Sequence, residues 1–168
     1  MSRLLGVDLG ERRIGLAVAD ADGGRALPLA TLRRARTAEA DAIALLEVIR
    51  DHDVAELVVG LPFEASGDEG AQARLTRSWV AAVQPRIGLA VTLRDERLTS
   101  HLAEQRVGPM KRGRSGGPPS ASQRHAYRAR IDREAAAIIL QDELDARAVR
   151  GTTDPPADQA AQRTETNG

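Results

Sequence analysis

The chain has no cysteine, and its 168 residues include one tryptophan, one tyrosine and one phenylalanine. Without cysteine there can be no disulfide, no thiolate-bound zinc and no thiol nucleophile. With so few aromatic rings, the core has to be built from Leu, Val, Ile and Ala. His52, His101 and His125 have no metal-ligand spacing between them, and His101 reads as an exposed helix residue. No apolar run approaches the roughly 20 residues of a membrane helix. A strand-like segment follows Met1-Ser2-Arg3 directly, so no secretory leader is expected and a cytoplasmic location is. Net charge is lacking too, because 24 basic residues cancel 24 acidic ones.

That neutrality hides an uneven distribution. Arg106, Lys111, Arg112, Arg114, Arg124, Arg128, Arg130 and Arg133 follow one another with only Asp132 opposing them, whereas the stretch from Glu39 to Glu69 is acidic. A polyanion meets a local face and not a total, so nucleic acid remains an admissible partner. Taken alone, a charge run reads as a solvated helix face.

Apolar patterning sets out an α/β chain. Leu4 to Asp8 and Ile14 to Asp20 read as strands joined by a tight connection at Gly10 to Arg13, and Leu27 to Leu32 as a third. Thr37 is placed to cap a helix carrying Ala38, Ala42, Leu45, Leu46 and Ile49 on one face. Glu56 to Leu61 reads as a buried strand. A helix from about Gly70 should present Leu75, Trp79 and Val83 and end at Pro85. A last strand, Leu89 to Leu93, leads to a short helix capped by Thr99 or Ser100. Gly and Pro then keep Gly108 to Ser120 loop-like, and a final helix spans about Arg124 to Arg147. The first two strands must be antiparallel because their link is too short for a crossover, and the helix-separated strands should be parallel to the first. The expectation is a mixed five-stranded sheet with helices on both faces, folded over residues 1–148, and a disordered polar tail over 149–168.

Asp8 closes an otherwise apolar strand, where a carboxylate is costly unless paired or bound to a cation. Its bland alternative is to cap the turn at Gly10. Asp95 and Glu96 repeat the arrangement at another strand end, between Arg94 and Arg97, where a surface ion-pair cluster is the alternative. Strand alternation leaves open which of these two points inward. Asp132 lies on a small apolar helix face, with Arg128 at (i, i−4) as an ordinary partner. Parallel strands put their carboxyl ends on one edge, so the three acids can converge. Hard oxygen donors without Cys or His suit Mg²⁺ or Mn²⁺, which can activate water at a phosphodiester.

The segment Val7-Asp8-Leu9-Gly10-Glu11-Arg12-Arg13-Ile14-Gly15 resembles the opening motif of the YqgF/RuvX family of Holliday-junction-resolvase-like pre-16S rRNA nucleases. The resemblance continues through Val58-Val59-Gly60-Leu61-Pro62, Gly67-Asp68-Glu69-Gly70 and Asp95-Glu96-Arg97-Leu98-Thr99-Ser100. It closes with Ile131-Asp132 and Ala135 to Gln141, and spans about Arg3 to Asp145. It implies an RNase H-like fold and a metal-dependent nuclease maturing the 5′ end of small-subunit ribosomal RNA, in contact with ribosomal precursor particles. It also places the catalytic and metal-binding roles on Asp8, Glu96 and Asp132. Where the family usually has Asn two residues after Leu-Pro, this chain has Glu64. Candidate phosphate contacts are Arg13, Arg97 and the loop residues Lys111, Arg112 and Arg114. Three other readings are a four-way DNA junction resolvase, a catalytically silent RNA-binding assembly factor, and an actin-like or sugar-kinase-like ATPase. The last needs a second domain and a phosphate loop that the chain lacks.

Overall fold

A computed structural model describes residues 2–97 and 99–153. Its strands are β1 (Arg3–Leu9), β2 (Arg13–Asp20), β3 (Leu27–Arg33), β4 (Val54–Leu61) and β5 (Ala90–Asp95). The helices are α1 (Ala38–Asp51), α2 (Ala71–Ile87), α3 (Thr99–Val107) and α4 (Ala121–Thr153). The sheet order is β3-β2-β1-β4-β5. β1 pairs antiparallel with β2 and parallel with β4, and β4 pairs parallel with β5. This is the mixed sheet the patterning predicts.

Alternation divides the sheet into two faces. Leu5, Val7, Leu57 and Val59 join Leu45 of α1 and Trp79 and Val83 of α2 in one core. Leu4, Ala17 and Val58 pack against Ala136, Ile139 and Leu140 of α4 on the other. α4 lies unusually close to the sheet because the strands beneath it carry glycine. A Cβ on Gly15 would stand 1.9 Å from the Asp132 carbonyl oxygen, and one on Gly6 would stand 2.7 Å from that of Ala136. The far half of α4 is tied down by ion pairs instead. Arg147 donates to Glu56 of β4 at 3.0 Å and to the buried Glu143 at 2.8 Å, and Arg94 of β5 also pairs with Glu143.

Several boundaries depart from the sequence reading. Thr37 does cap α1, its hydroxyl accepting from the Ala40 amide at 3.2 Å. Pro85 does not end α2, which runs to Ile87 and stops at Gly88, left-handed at φ 69°. A proline removes one helical hydrogen bond, but buried Val83 and Ile87 hold that last turn to the core. Leu75 is 61% exposed and Leu46 37%, so the buried stripe of α2 is Ala73, Thr76, Trp79, Val83 and Ile87. α4 extends through residues 151–153, past the expected start of the tail at 149. The rest of that expected tail, 154–168, lies outside the described residues.

Candidate active site

Asp8, Gly6 and Leu4 share the α4 face of β1, and the Cα partner of Asp8 across the hairpin is Gly15. Because Gly15 admits the α4 backbone at Asp132, the same pairing that fixes Asp8 also fixes where Asp132 approaches it. On β5, Thr92 and Arg94 point to the α4 face, so Glu96, two residues on, follows them while Asp95 faces away. Glu96 is anchored at the end of β4 by its amide, which donates to the Leu61 carbonyl at 3.2 Å. Gly60 leaves room for its carboxyl, since a Cβ there would stand 2.1 Å from Oε2. Glu96, and not Asp95, is therefore the acid that shares the α4 face with Asp8.

Asp8 and Glu96 touch. Burial, the nearby Asp132 charge and an opposing contact with Glu96 set the Asp8 carboxyl, pushed up to about 6. Burial raises the Glu96 carboxyl further, to about 9, helped by the Asp8 charge and by a hydrogen bond to Asp8. Near neutrality the pair therefore keeps a proton. The Glu96 Oε2 atom is buried and has no hydrogen-bond partner among the described residues. Such an atom carries the full penalty of lost hydration.

Asp132 is brought near but not into this contact. Its carboxylate accepts from the Arg13 guanidinium of β2, not from Arg128. With Asp132 so engaged, no three Asp, Glu or His side chains among the described residues are grouped to hold a metal ion together. The donors nonetheless fit a hard divalent cation. An unpartnered buried oxygen and two carboxyls forced together are each relieved by positive charge.

The hairpin carrying these groups is braced from the other face. The Gly10 amide donates to the Arg13 carbonyl at 2.9 Å and closes the turn, so Asp8 is not its cap. Arg34 donates to the Gly10 carbonyl at 2.9 Å and to the buried Asp41 at 2.8 Å, and Asp41 also accepts from the Trp79 indole at 3.0 Å. Nothing in the sequence singled out Asp41, which reads as an ordinary first-turn helix acid.

The other candidates lie further out. Arg97 is exposed and pairs with Asp95 at 2.8 Å, which is the ion pair expected as the bland reading of that segment. Lys111, Arg112 and Arg114 are exposed in the loop between α3 and α4. One end of that loop is fastened where the Tyr127 hydroxyl donates to the Gly108 carbonyl at 2.9 Å. The other end joins α4 about 16 Å along the helix from Asp132. His101 is exposed and contacts Gln105 at 3.1 Å. Glu64 turns its carboxyl against Gly70, at the start of α2, where a negative charge is favourable. Among the described residues, no helix is long and apolar enough to cross a membrane.

Comparison with known proteins gives one consistent picture. The family model RuvX, described as Holliday junction resolvase, matches residues 2–146. A protein of Anaeromyxobacter dehalogenans (strain 2CP-1 / ATCC BAA-258) named "Putative pre-16S rRNA nuclease" is 45% identical over 146 residues, 87% of this chain and 98% of the relative. One of the same name from Roseiflexus sp. (strain RS-1) is 42% identical over 143 residues, 85% of this chain and 94% of the relative. Among solved structures, T. thermophilus RuvC in complex with Holliday junction substrate superposes with a TM-score of 0.51 at 16% identity. That match covers 89% of this chain and 97% of RuvC, and it bears out the RNase H-like fold.

Proposed function

The chain belongs to the RuvX family, and from that premise we propose that it is a metal-dependent nuclease that hydrolyses phosphodiester bonds in pre-16S rRNA at its 5′ end. The observation that carries the reading is the Asp8–Glu96 contact with its unpartnered buried oxygen. Two acids forced together at the carboxyl edge of parallel strands are poorly arranged for stability and well arranged for a cation.

In this proposal Asp8, Glu96 and Asp132 hold Mg²⁺ or Mn²⁺. When bound, the cation supplies an activated water and neutralises charge developing at the phosphate. The residues do the rest. Asp8 and Glu96 give up their shared proton to become ligands, so binding is favoured as pH rises. Gly60 and the Leu61 carbonyl keep Glu96 in place. Arg13 holds Asp132 at the site's rim and presents positive charge to an incoming phosphate. Lys111, Arg112 and Arg114 touch the substrate backbone without reading sequence. Work on ribosomal precursor particles in the cytoplasm follows from the same reading.

A four-way DNA junction is the second reading, favoured by the description of the family. The experiment is a side-by-side cleavage assay on a 5′-extended small-subunit rRNA fragment and a synthetic four-way junction. Preferential cutting of the rRNA fragment is expected. Cutting of the junction alone would replace the proposed substrate, and cutting of neither by pure protein with Mg²⁺ and Mn²⁺ would favour a silent RNA-binding factor.

A further inference from the structure

On the α4 side of the sheet, next to the acids, a cleft of about 600 Å³ opens between the β2–β3 edge and the first turns of α4. Arg12 enters it from the β1–β2 turn, Arg13 and Arg33 from the strands, and Arg124, His125 and Arg128 from the helix; no Asp or Glu lines it. The Thr31 hydroxyl donates to the Ala129 carbonyl at 2.6 Å and fastens the two walls together. Arg13 is neutralised by Asp132. Arg12, Arg33, Arg124 and Arg128 have no carboxylate partner among the described residues.

A second observation points the same way. Arg13 and Arg33 are direct cross-strand partners. Asp132 offsets the charge of Arg13, so Arg33 is the member of that pair left to meet a polyanion. The cleft also leads somewhere. Arg128 precedes Asp132 by one helical turn, and Arg124 lies about 12 Å from it along α4. Arg13 belongs to both the cleft and the acid site. No Phe, Tyr or Trp lines the cleft, and guanidiniums make up most of its polar lining, so backbone charge is what it is best equipped to hold.

We propose that this cleft binds the phosphodiester backbone of a nucleic-acid strand a few nucleotides from the bond to be cut, with Arg33, Arg124 and Arg128 as its phosphate contacts. The inference rests on the nuclease reading for its role but not for its existence. The guanidiniums recognise charge, so RNA and DNA backbones are both ligands in principle, and the test separates them.

The test measures fluorescence anisotropy of a labelled single-stranded RNA and a labelled DNA duplex of equal length, in chelator, over a range of salt. The variants are Arg33→Ala/Arg124→Ala/Arg128→Ala, the same three changed to Lys, and Arg86→Ala on α2 as control. The Ala triple is expected to weaken binding and to flatten the slope of log affinity against log salt. The flattening is about 2 for the RNA and about 2.7 for the duplex if all three arginines hold a phosphate. The Lys triple should keep the wild-type slope, and Arg86→Ala the wild-type affinity. The probe with the greater loss identifies the backbone held. Should the triple melt early, Arg124→Glu alone, on an exposed first turn, should still weaken binding. Wild-type affinity and slope in both the Ala triple and Arg124→Glu would overturn the inference. A chain that cleaves neither substrate yet loses binding in these variants keeps the cleft and overturns the nuclease reading instead.

Discussion

At the scale of single residues, the consequence of the acid pair is a pH dependence of unusual sign. Asp8 and Glu96 both hold their protons more tightly folded than unfolded, so the folded chain binds more protons and raising the pH disfavours it. Without metal, this contribution begins to fall above the ordinary carboxylate range. It levels off near pH 6 for Asp8 and near pH 9 for Glu96. Glu96→Gln should therefore gain on the wild type in melting temperature between about pH 5 and about pH 9 in chelator. A constant gap across that range would contradict the pairing. Asp8→Asn should melt higher than wild type near neutrality, by about 2–4 °C for each kcal/mol of repulsion relieved, while losing cleavage by at least about 100-fold. Differential scanning calorimetry and a cleavage assay check the two halves. Much of this was legible in the sequence, since acids ending apolar strands are conspicuous. The partner of Asp132 was not. Arg128 is its helical neighbour, but Arg13, 119 positions away, is what touches it, and only the register of β2 beneath α4 brings the two together.

At the scale of elements, the site depends on how closely α4 can lie on the sheet. A methyl group on Gly15 would overlap the Asp132 carbonyl, so Gly15→Ala must push the helix or the strand aside. The expected loss is about 1–3 kcal/mol, seen as a lower melting temperature, with cleavage reduced because Asp132 moves. Gly117→Ala, where an added Cβ meets nothing within 4 Å, should change neither; equal effects from both would argue against close packing as the cause. The loop between α3 and α4 makes a different prediction. Changing Lys111, Arg112 and Arg114 together to Ala should leave melting unchanged, because exposed charges contribute little to stability. In filter binding to single-stranded RNA, the salt slope should flatten by about 0.7 for each phosphate no longer neutralised, and an unchanged slope would return the loop to a solvated linker. The succession of strands and helices along the chain was readable because periods of 2 and 3.6 are strong signals. The end of α2 was not, because burial of Val83 and Ile87 outweighs the bond missing at Pro85. The exposed faces of Leu46 and Leu75 were not either. Each sits at a plausible helical spacing, and only the direction from which the sheet approaches chooses the stripe.

At the scale of the whole molecule, charge is partitioned although the total is zero. The run of arginines that begins at Arg106 divides into two features. Arg124 and Arg128 join Arg12, Arg13 and Arg33 in a cleft, whereas Arg106 pairs with Glu134 at 3.1 Å. The run itself is visible in the sequence, and (i, i+4) spacing hints that Arg124 and Arg128 share a face. The strand arginines that complete the cleft arrive through β2–β3 pairing, which no local pattern reveals. The acids and the cleft lie on the same side of one sheet, joined by Arg13, and the two proposals reduce to a single claim: carboxylates cut what the basic surface holds. The most direct measurement is cleavage of a 5′-extended small-subunit rRNA fragment by purified wild-type and Asp8→Asn protein, each with Mg²⁺ and with excess chelator. Cleavage is predicted for the wild type with Mg²⁺ and for none of the other three conditions. Undiminished cleavage in chelator, or by Asp8→Asn, would contradict the claim.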